Sequence, residues 1–81
     1  MKKGIDNMKN NCILRHNDQG RLSFTDGYYF TSGQPIKVFY DGKWIDGRIE
    51  YSHEYEDYYF INENKGIYIY NLVGVEAKSL D

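Results

Sequence analysis

The sequence predicts an all-β domain, a small barrel or sandwich of six or seven short strands. Three observations lead there. Aromatic residues make up 17% of the 81 positions, nine of them Tyr, an excess that suits half-buried strands and not a disordered chain. Turn-forming clusters ("NDQG", "TDG", "TSGQP", "DG" and "ENKG") cut the chain into short runs. No stretch of helical length repeats apolar residues at the i, i+3, i+4, i+7 spacing of an amphipathic helix.

Taken in order, residues 1–11, "MKKGIDNMKNN", are polar and aperiodic, and read as a loose leader. Folded structure is expected from Cys12 to Lys78 as one domain, with 79–81 as a tail. "CILRH" (12–16) and "RLSF" (21–24) flank "NDQG" as a first hairpin, with Leu22 and Phe24 on one face. After "TDG" comes the aromatic strand "YYF" (28–30). Pro35, the only proline, marks the start of the next strand, where a missing N–H is tolerated. "SHEYED" (52–57) is a charged loop, "YYFIN" (58–62) a strand, "ENKG" (63–66) a turn and "IYIYN" (67–71) a strand. In that strand Ile67 and Ile69 share one face, Tyr68 and Tyr70 the other. "LVGVEAKSL" (72–80) closes the chain, Val75 and Ala77 alternating with Glu76 and Lys78. The echo between "DGYYF" (26–30) and "EDYYF" (56–60) reads as two aromatic strands after similar turns, too brief for a repeat array.

The centre of the chain, "VFYDGKWIDGRIEYS" (38–52), holds two Asp-Gly pairs five residues apart, and only one can reverse the chain. A two-residue turn at Asp41-Gly42 opposes Tyr40 to Lys43, Phe39 to Trp44, Val38 to Ile45 and Lys37 to Asp46. That register gathers Ile36, Val38 and Ile45 on one face and sets a cation against a carboxylate. A turn at Asp46-Gly47 pairs Ile45 with Arg48 and Trp44 with Ile49, which is poorer, so Asp41-Gly42 is the expected turn. Gly47 then lies inside a strand, where glycine marks a bulge, a bend or a close backbone approach; a bend between the sheets of a barrel is the expectation. The core is expected to hold Leu22, Phe24, Ile36, Val38, Ile45, Ile49, Ile67, Ile69 and Val75. Phe39 and Trp44 face the other way, opposite each other in the close non-hydrogen-bonded position next to the turn, and need a cover: either the first hairpin or the leader folded over them as a second small core, or a partner.

The bulk numbers exclude several classes. A chain this short buries only about 60% of its unfolded surface, so the core is thin. The formal charge is −2, which gives no basic field for a phosphate backbone. The single cysteine, Cys12, excludes an internal disulfide and a multi-cysteine zinc site. No apolar run is long enough for a membrane span, and no apolar segment follows "MKK" as in a signal peptide. A cytoplasmic location is the default expectation, with no membrane partner.

The segment 33–51, "GQPIKVFYDGKWIDGRIEY", with "YYF" following at Tyr58, resembles a family of small uncharacterised domains from Gram-positive bacteria, often carried in conjugative transposons and prophages. "GKWIDGRIEY" (42–51) is the most specific part of a likeness that spans about residues 21–78. The resemblance implies a small SH3-like barrel of five to seven short antiparallel strands and a mobile-element setting. It implies no activity and no site residues. "VFYDGKWIDGRI" is also similar to Tudor-type barrels, with Ile45 where such domains usually carry a second aromatic residue, so that likeness is one of fold.

Chemistry beyond binding finds little support in the residues. His53 lies beside Glu54, Glu56 and Asp57, with Glu50 nearby, but two further ligands at fixed geometry would be needed, and a solvated acidic loop is the reading. Cys12 with His16 or His53 as base would make a nucleophile pair, but Cys12 sits in an Asn-rich, unremarkable setting. No phosphate loop, nucleophile elbow or dinucleotide fingerprint is present. We therefore expect no enzyme, no cofactor, no metal and no catalytic residues. A protein-binding module is expected, its surface formed by Phe39, Trp44, Tyr68 and Tyr70 with Lys37 and Arg48. The alternative is a nucleic-acid-binding accessory protein of the mobile element. Stacked aromatics and Lys37, Lys43 and Arg48 suggest it; Asp46, Glu50 and the net negative charge disfavour it.

Overall fold

The computed structural model describes residues 12–80. The leader 1–11 and Asp81 lie outside the described residues. Those described are all-β, with every strand pair antiparallel: β1 (Cys12–Ile13), β2 (Arg15–His16), β3 (Leu22–Ser23), β4 (Pro35–Tyr40), β5 (Lys43–Ser52), β6 (Asp57–Asn62), β7 (Ile67–Ile69) and β8 (Glu76–Ser79). Six of them form one sheet in the order β1-β8-β4-β5-β6-β7, and β2-β3 form a separate two-stranded ribbon.

The β4-β5 hairpin follows the register read from the sequence, from Lys37 opposite Asp46 to Tyr40 opposite Lys43. Asp41 and Gly42 both have positive φ, 53° and 81°, the signature of a type I′ turn whose twist matches the strands it joins. β4 begins at Pro35, as expected of a residue without an amide proton. On its other side β4 pairs with β8, with Val38 opposite Ala77 and Lys37 opposite Lys78.

β5 is the longest strand, with ten residues, and it changes partner along its length. Residues 43–48 pair with β4, and residues 48–52 pair with β6. Gly47 lies at this change, and the reason for glycine there is space. A Cβ at Gly47 would stand 2.5 Å from the Phe60 ring and 2.5 Å from the Ile61 carbonyl oxygen. Phe60 thus packs directly on the Gly47 backbone. The bend between two sheets expected at this point is instead a close approach within one sheet.

Closure into a barrel does not occur. β1 and β7 stand at the two ends of the strand order, and they are only two and three residues long. The separate ribbon covers one face of the sheet: Leu22 and Phe24 pack with Phe30, Ile36, Val38, Ile45, Ile49, Phe60 and Ile69 in a single core. All nine expected core residues belong to this cluster or pack against it, Ile67 and Val75 as half-buried members. Leu14, Phe30, Phe60, Leu72 and Ala77 complete it.

Four expected strands are shorter than read, "RLSF" among them, of which only Leu22–Ser23 is strand. "CILRH" is broken at Leu14, whose side chain is fully buried and whose amide bonds to Val75 O at 2.8 Å, so the chain pairs first with β8 and then with β3. "YYF" (28–30) makes only an isolated bridge, Tyr29 to Ser23, because Phe30 turns into the core and bonds its amide to Leu22 O at 2.8 Å. β7 ends at Ile69, and Asn71 has a φ of 64° that ends extended structure. β8 runs one residue beyond the expected end of the domain, to Ser79. The Tyr28 hydroxyl hydrogen-bonds Ser79 at 3.1 Å and accepts from the Gln34 amide, tying the 28–34 loop to this last strand.

Candidate binding face

The sheet has a core face and an outer face, and strand alternation places Lys37 and Phe39 of β4, Trp44, Asp46, Arg48 and Glu50 of β5, Tyr59 and Ile61 of β6 and Tyr68 of β7 on the outer one. Phe39 and Trp44 stand opposite each other with ring centroids 5.2 Å apart and planes tilted by 59°. Phe39 keeps 40% of its surface exposed, and Trp44 is half-buried. The Lys78 ammonium, from β8 on the far side of β4, lies 4.6 Å from the Trp44 ring centroid, a cation–π contact that partly covers the indole. Of the two internal covers expected, the first hairpin does not provide one, because its buried residues Leu22 and Phe24 belong to the core on the opposite side, and the leader lies outside the described residues.

Charged groups separate this aromatic pair from the rest of the face. Lys37 reaches Asp46 at 3.5 Å, the cross-strand pair the register implied. Arg48 bonds Glu50 at 2.7 Å and Glu63 at 3.3 Å, and these two hydrogen bonds raise its already high pKa further. Between Arg48 and Tyr68, its cross-strand neighbours, Ile61 is 5% exposed, a small buried spot outside the main core.

Tyr68 and Tyr70 are about half exposed; Tyr68 stands opposite Ile61, and Tyr70 belongs to a different aromatic group. Tyr70 stacks on Tyr59 at 5.1 Å and meets Tyr55 edge-to-face at 5.2 Å. Partial desolvation, then the proximity of Tyr59, Tyr55, Tyr68 and Glu54, pushes its phenol above the usual tyrosine range. This group sits beside the 53–56 turn, at the end of β5 away from Trp44. Among the described residues no ring contact joins it to Phe39 or Trp44. The structure therefore divides the six expected binding residues into an aromatic pair with Lys37, an ion-paired Arg48, Tyr68 opposite Ile61, and Tyr70 in a tyrosine group. Sequence reading missed Lys78, Tyr55 and Tyr59. Tyr59 was within reach, since it alternates with Tyr58 and Phe60; the place of Lys78 depends on a long-range strand pairing that no local pattern announces.

A family model described as a domain of unknown function, DUF5348, matches residues 12–79. The chain belongs to this family. The match takes in all eight strands, from β1 to β8. No curated protein and no solved structure matches the chain.

Among the described residues no group of three or more His, Cys, Asp or Glu side chains is placed to hold an ion. Asp57 is engaged otherwise: its Oδ1 accepts from His16 Nε2 at 2.8 Å and from the Tyr58 amide at 2.7 Å, which fastens the first hairpin to the start of β6. The Cys12 side chain lies outside the described residues. Among the described residues no helix is long and apolar enough to cross a membrane.

Proposed function

We propose that this DUF5348 domain is a small non-catalytic binding module that docks a protein partner through the outer face at Phe39 and Trp44. The reading rests on one observation: two large aromatic side chains are in contact on a sheet face that the rest of the described core leaves uncovered. Trp and its aromatic neighbours are the residues most often found at the energetic centre of protein interfaces. The local charges favour a protein over a nucleic acid. Lys37 and Arg48 are already paired with Asp46, Glu50 and Glu63, and Lys78 rests on the indole, so that of the cations named for phosphate contact Lys43 alone makes no ion pair among the described residues. The likeness of 33–51 to domains of mobile elements supports a cytoplasmic role in a Gram-positive host, encoded by a conjugative transposon or prophage.

The test is affinity capture from host lysate with wild type and Trp44→Ala, with and without nuclease. Capture of a protein that survives nuclease, changes little with salt and is lost in Trp44→Ala supports the reading. Capture that nuclease abolishes, or that falls steeply with salt, establishes the nucleic-acid alternative.

A further inference from the structure

The second aromatic group, at the far end of the face, carries a distinct site. Tyr55, Asp57, Tyr58, Tyr70 and Asn71 line a cavity of about 210 Å³. Its walls come from three separate places: the 53–56 turn, the start of β6 and the segment after β7. Tyr55 and Tyr70 form a corner by their edge-to-face contact, and Tyr59 backs the Tyr70 ring by stacking on it. Tyr58 is half-buried against the core, so that wall is anchored. Asp57 is held in place through Oδ1 by His16 and the Tyr58 amide, and its other oxygen has no partner among the described residues. Glu54 and Glu56 in the adjoining turn make no ion pair among the described residues, so the field at the corner is negative.

We propose that this corner binds an organic cation of the quaternary-ammonium type. Tyrosine faces attract a cation through the ring quadrupole, and a fixed carboxylate at the rim supplies the counter-charge. A quaternary ammonium has no N–H donors to satisfy, so apolar tyrosine walls and one carboxylate suffice for it. A primary ammonium would have to give up strong hydration for the same surroundings. The volume lies below the roughly 300–1,000 Å³ of pockets for drug-sized ligands, which limits the occupant to a head group or the end of a side chain. The raised phenol pKa of Tyr70 agrees with a partly dry, negatively biased corner, in which the neutral phenol persists and a cation is welcome. This site is separate from Phe39 and Trp44, and either can fail without the other.

The experiment is an NMR titration of the full chain with choline, with 3,3-dimethyl-1-butanol as its neutral isostere, and with peptides carrying trimethyl-lysine or unmodified lysine. The expected result is saturable shifts at Tyr55, Tyr70 and Asn71 with the methylated cations and none with the neutral isostere. Tyr55→Ala and Asp57→Asn should each weaken binding at least about fivefold, while Tyr70→Phe, which keeps the ring, retains it. Tighter binding of the trimethyl-lysine peptide than of choline assigns the cation to a protein side chain; the reverse assigns it to a free small molecule. An equal response to the isostere, shifts centred on the Trp44 indole, unchanged affinity in folded Tyr55→Ala and Asp57→Asn, or no binding of any cation would overturn the proposal.

Discussion

Substituting Gly47 by alanine adds one methyl group at the place where β5 changes partner. That methyl would lie 2.5 Å from Phe60 Cζ, 2.6 Å from Phe60 Cε1 and 2.5 Å from the Ile61 carbonyl oxygen. The ring can tilt away; the carbonyl belongs to the β6 backbone and moves only with the ladder. Gly47 does not occupy the left-handed region, so alanine brings no backbone strain of its own. It even removes unfolded-state freedom, a gain of about 0.4–1 kcal/mol. Overpacking of a tight site costs about 1–3 kcal/mol, and with backbone on one side the upper part of that range applies. The net expectation is a loss of about 1–2 kcal/mol from a total of roughly 4–12 kcal/mol for a domain of this length. In thermal unfolding this is a fall in midpoint of roughly 5–15 °C. Phe60→Leu in the same background should recover part of the loss relative to additivity, because it relieves the ring contact and leaves the carbonyl contact. A Gly47→Ala variant within about 0.5 kcal/mol of wild type would refute the close approach and restore a simple bend as the reason for glycine.

Other substitutions test the remaining parts of the fold. Gly42→Val meets no neighbouring atom within 4 Å but must adopt a φ near 81°, so chemical denaturation should show a loss of more than about 1 kcal/mol from backbone strain alone. Ile45→Ala, at 6% exposure in the central core, should cost about 2–5 kcal/mol in the same assay, whereas its neighbour Trp44→Ala should leave the midpoint nearly unchanged. Tyr70 should ionise at higher pH than an ordinary tyrosine near 10.0, as followed by ultraviolet titration with Tyr70→Phe as difference control. A raised folded-state pKa means that its contribution to stability is fully present below the unfolded value and is lost as pH rises through the folded one.

The strands with two strong local signals were legible from sequence, and those held by distant contacts were not. The β4-β5 register followed from counting outward from one Asp-Gly turn, because alternation and charge pairing agreed on a single solution. Leu14 and Leu72 were not expected in the core for the opposite reason. Each is an apolar residue in a short segment outside the strands, and Leu14 is placed by a long-range meeting of segments: β1 pairs with β8, and the Leu14 carbonyl accepts from the Gly74 amide at 2.8 Å. Phe30 misled in another way. An aromatic triplet suggests a strand, yet Phe24, Tyr28 and Phe30 pack ring against ring and hold that segment by side chains with a single bridge of backbone pairing. The outer face was half legible. Parity put Phe39 and Trp44 on the outer side, but it could not show that Tyr70 lies with a separate group near Tyr55, since that depends on where β7 joins the sheet.

The division of the outer face into two aromatic groups has a chemical consequence. Phe39 has no polar atom, and the Trp44 indole already carries Lys78 on one face, so a partner that covers this end gains by removing apolar surface from water. Such a contact needs shape more than charge, and it should tighten little when salt is lowered. At the other end, Tyr55, Tyr59, Tyr68 and Tyr70 each present a hydroxyl, and a dry cover would leave those hydroxyls unpaired at about 1–3 kcal/mol apiece. That end therefore favours a small or wet ligand that uses the ring faces and leaves the hydroxyls hydrated. The ion pairs of Arg48 with Glu50 and Glu63 lie between the two and keep the middle of the face hydrated. One protein surface flat enough to cover both ends would have to desolvate those pairs, a penalty that the Coulomb attraction does not reliably offset. The face is thus better suited to two separate contacts, an apolar one at Trp44 and a cationic one at Tyr70, than to one continuous interface. Measured in one sample, Trp44→Ala and Tyr55→Ala should each abolish its own contact and leave the other intact; mutual loss in both variants would show the face to be a single site.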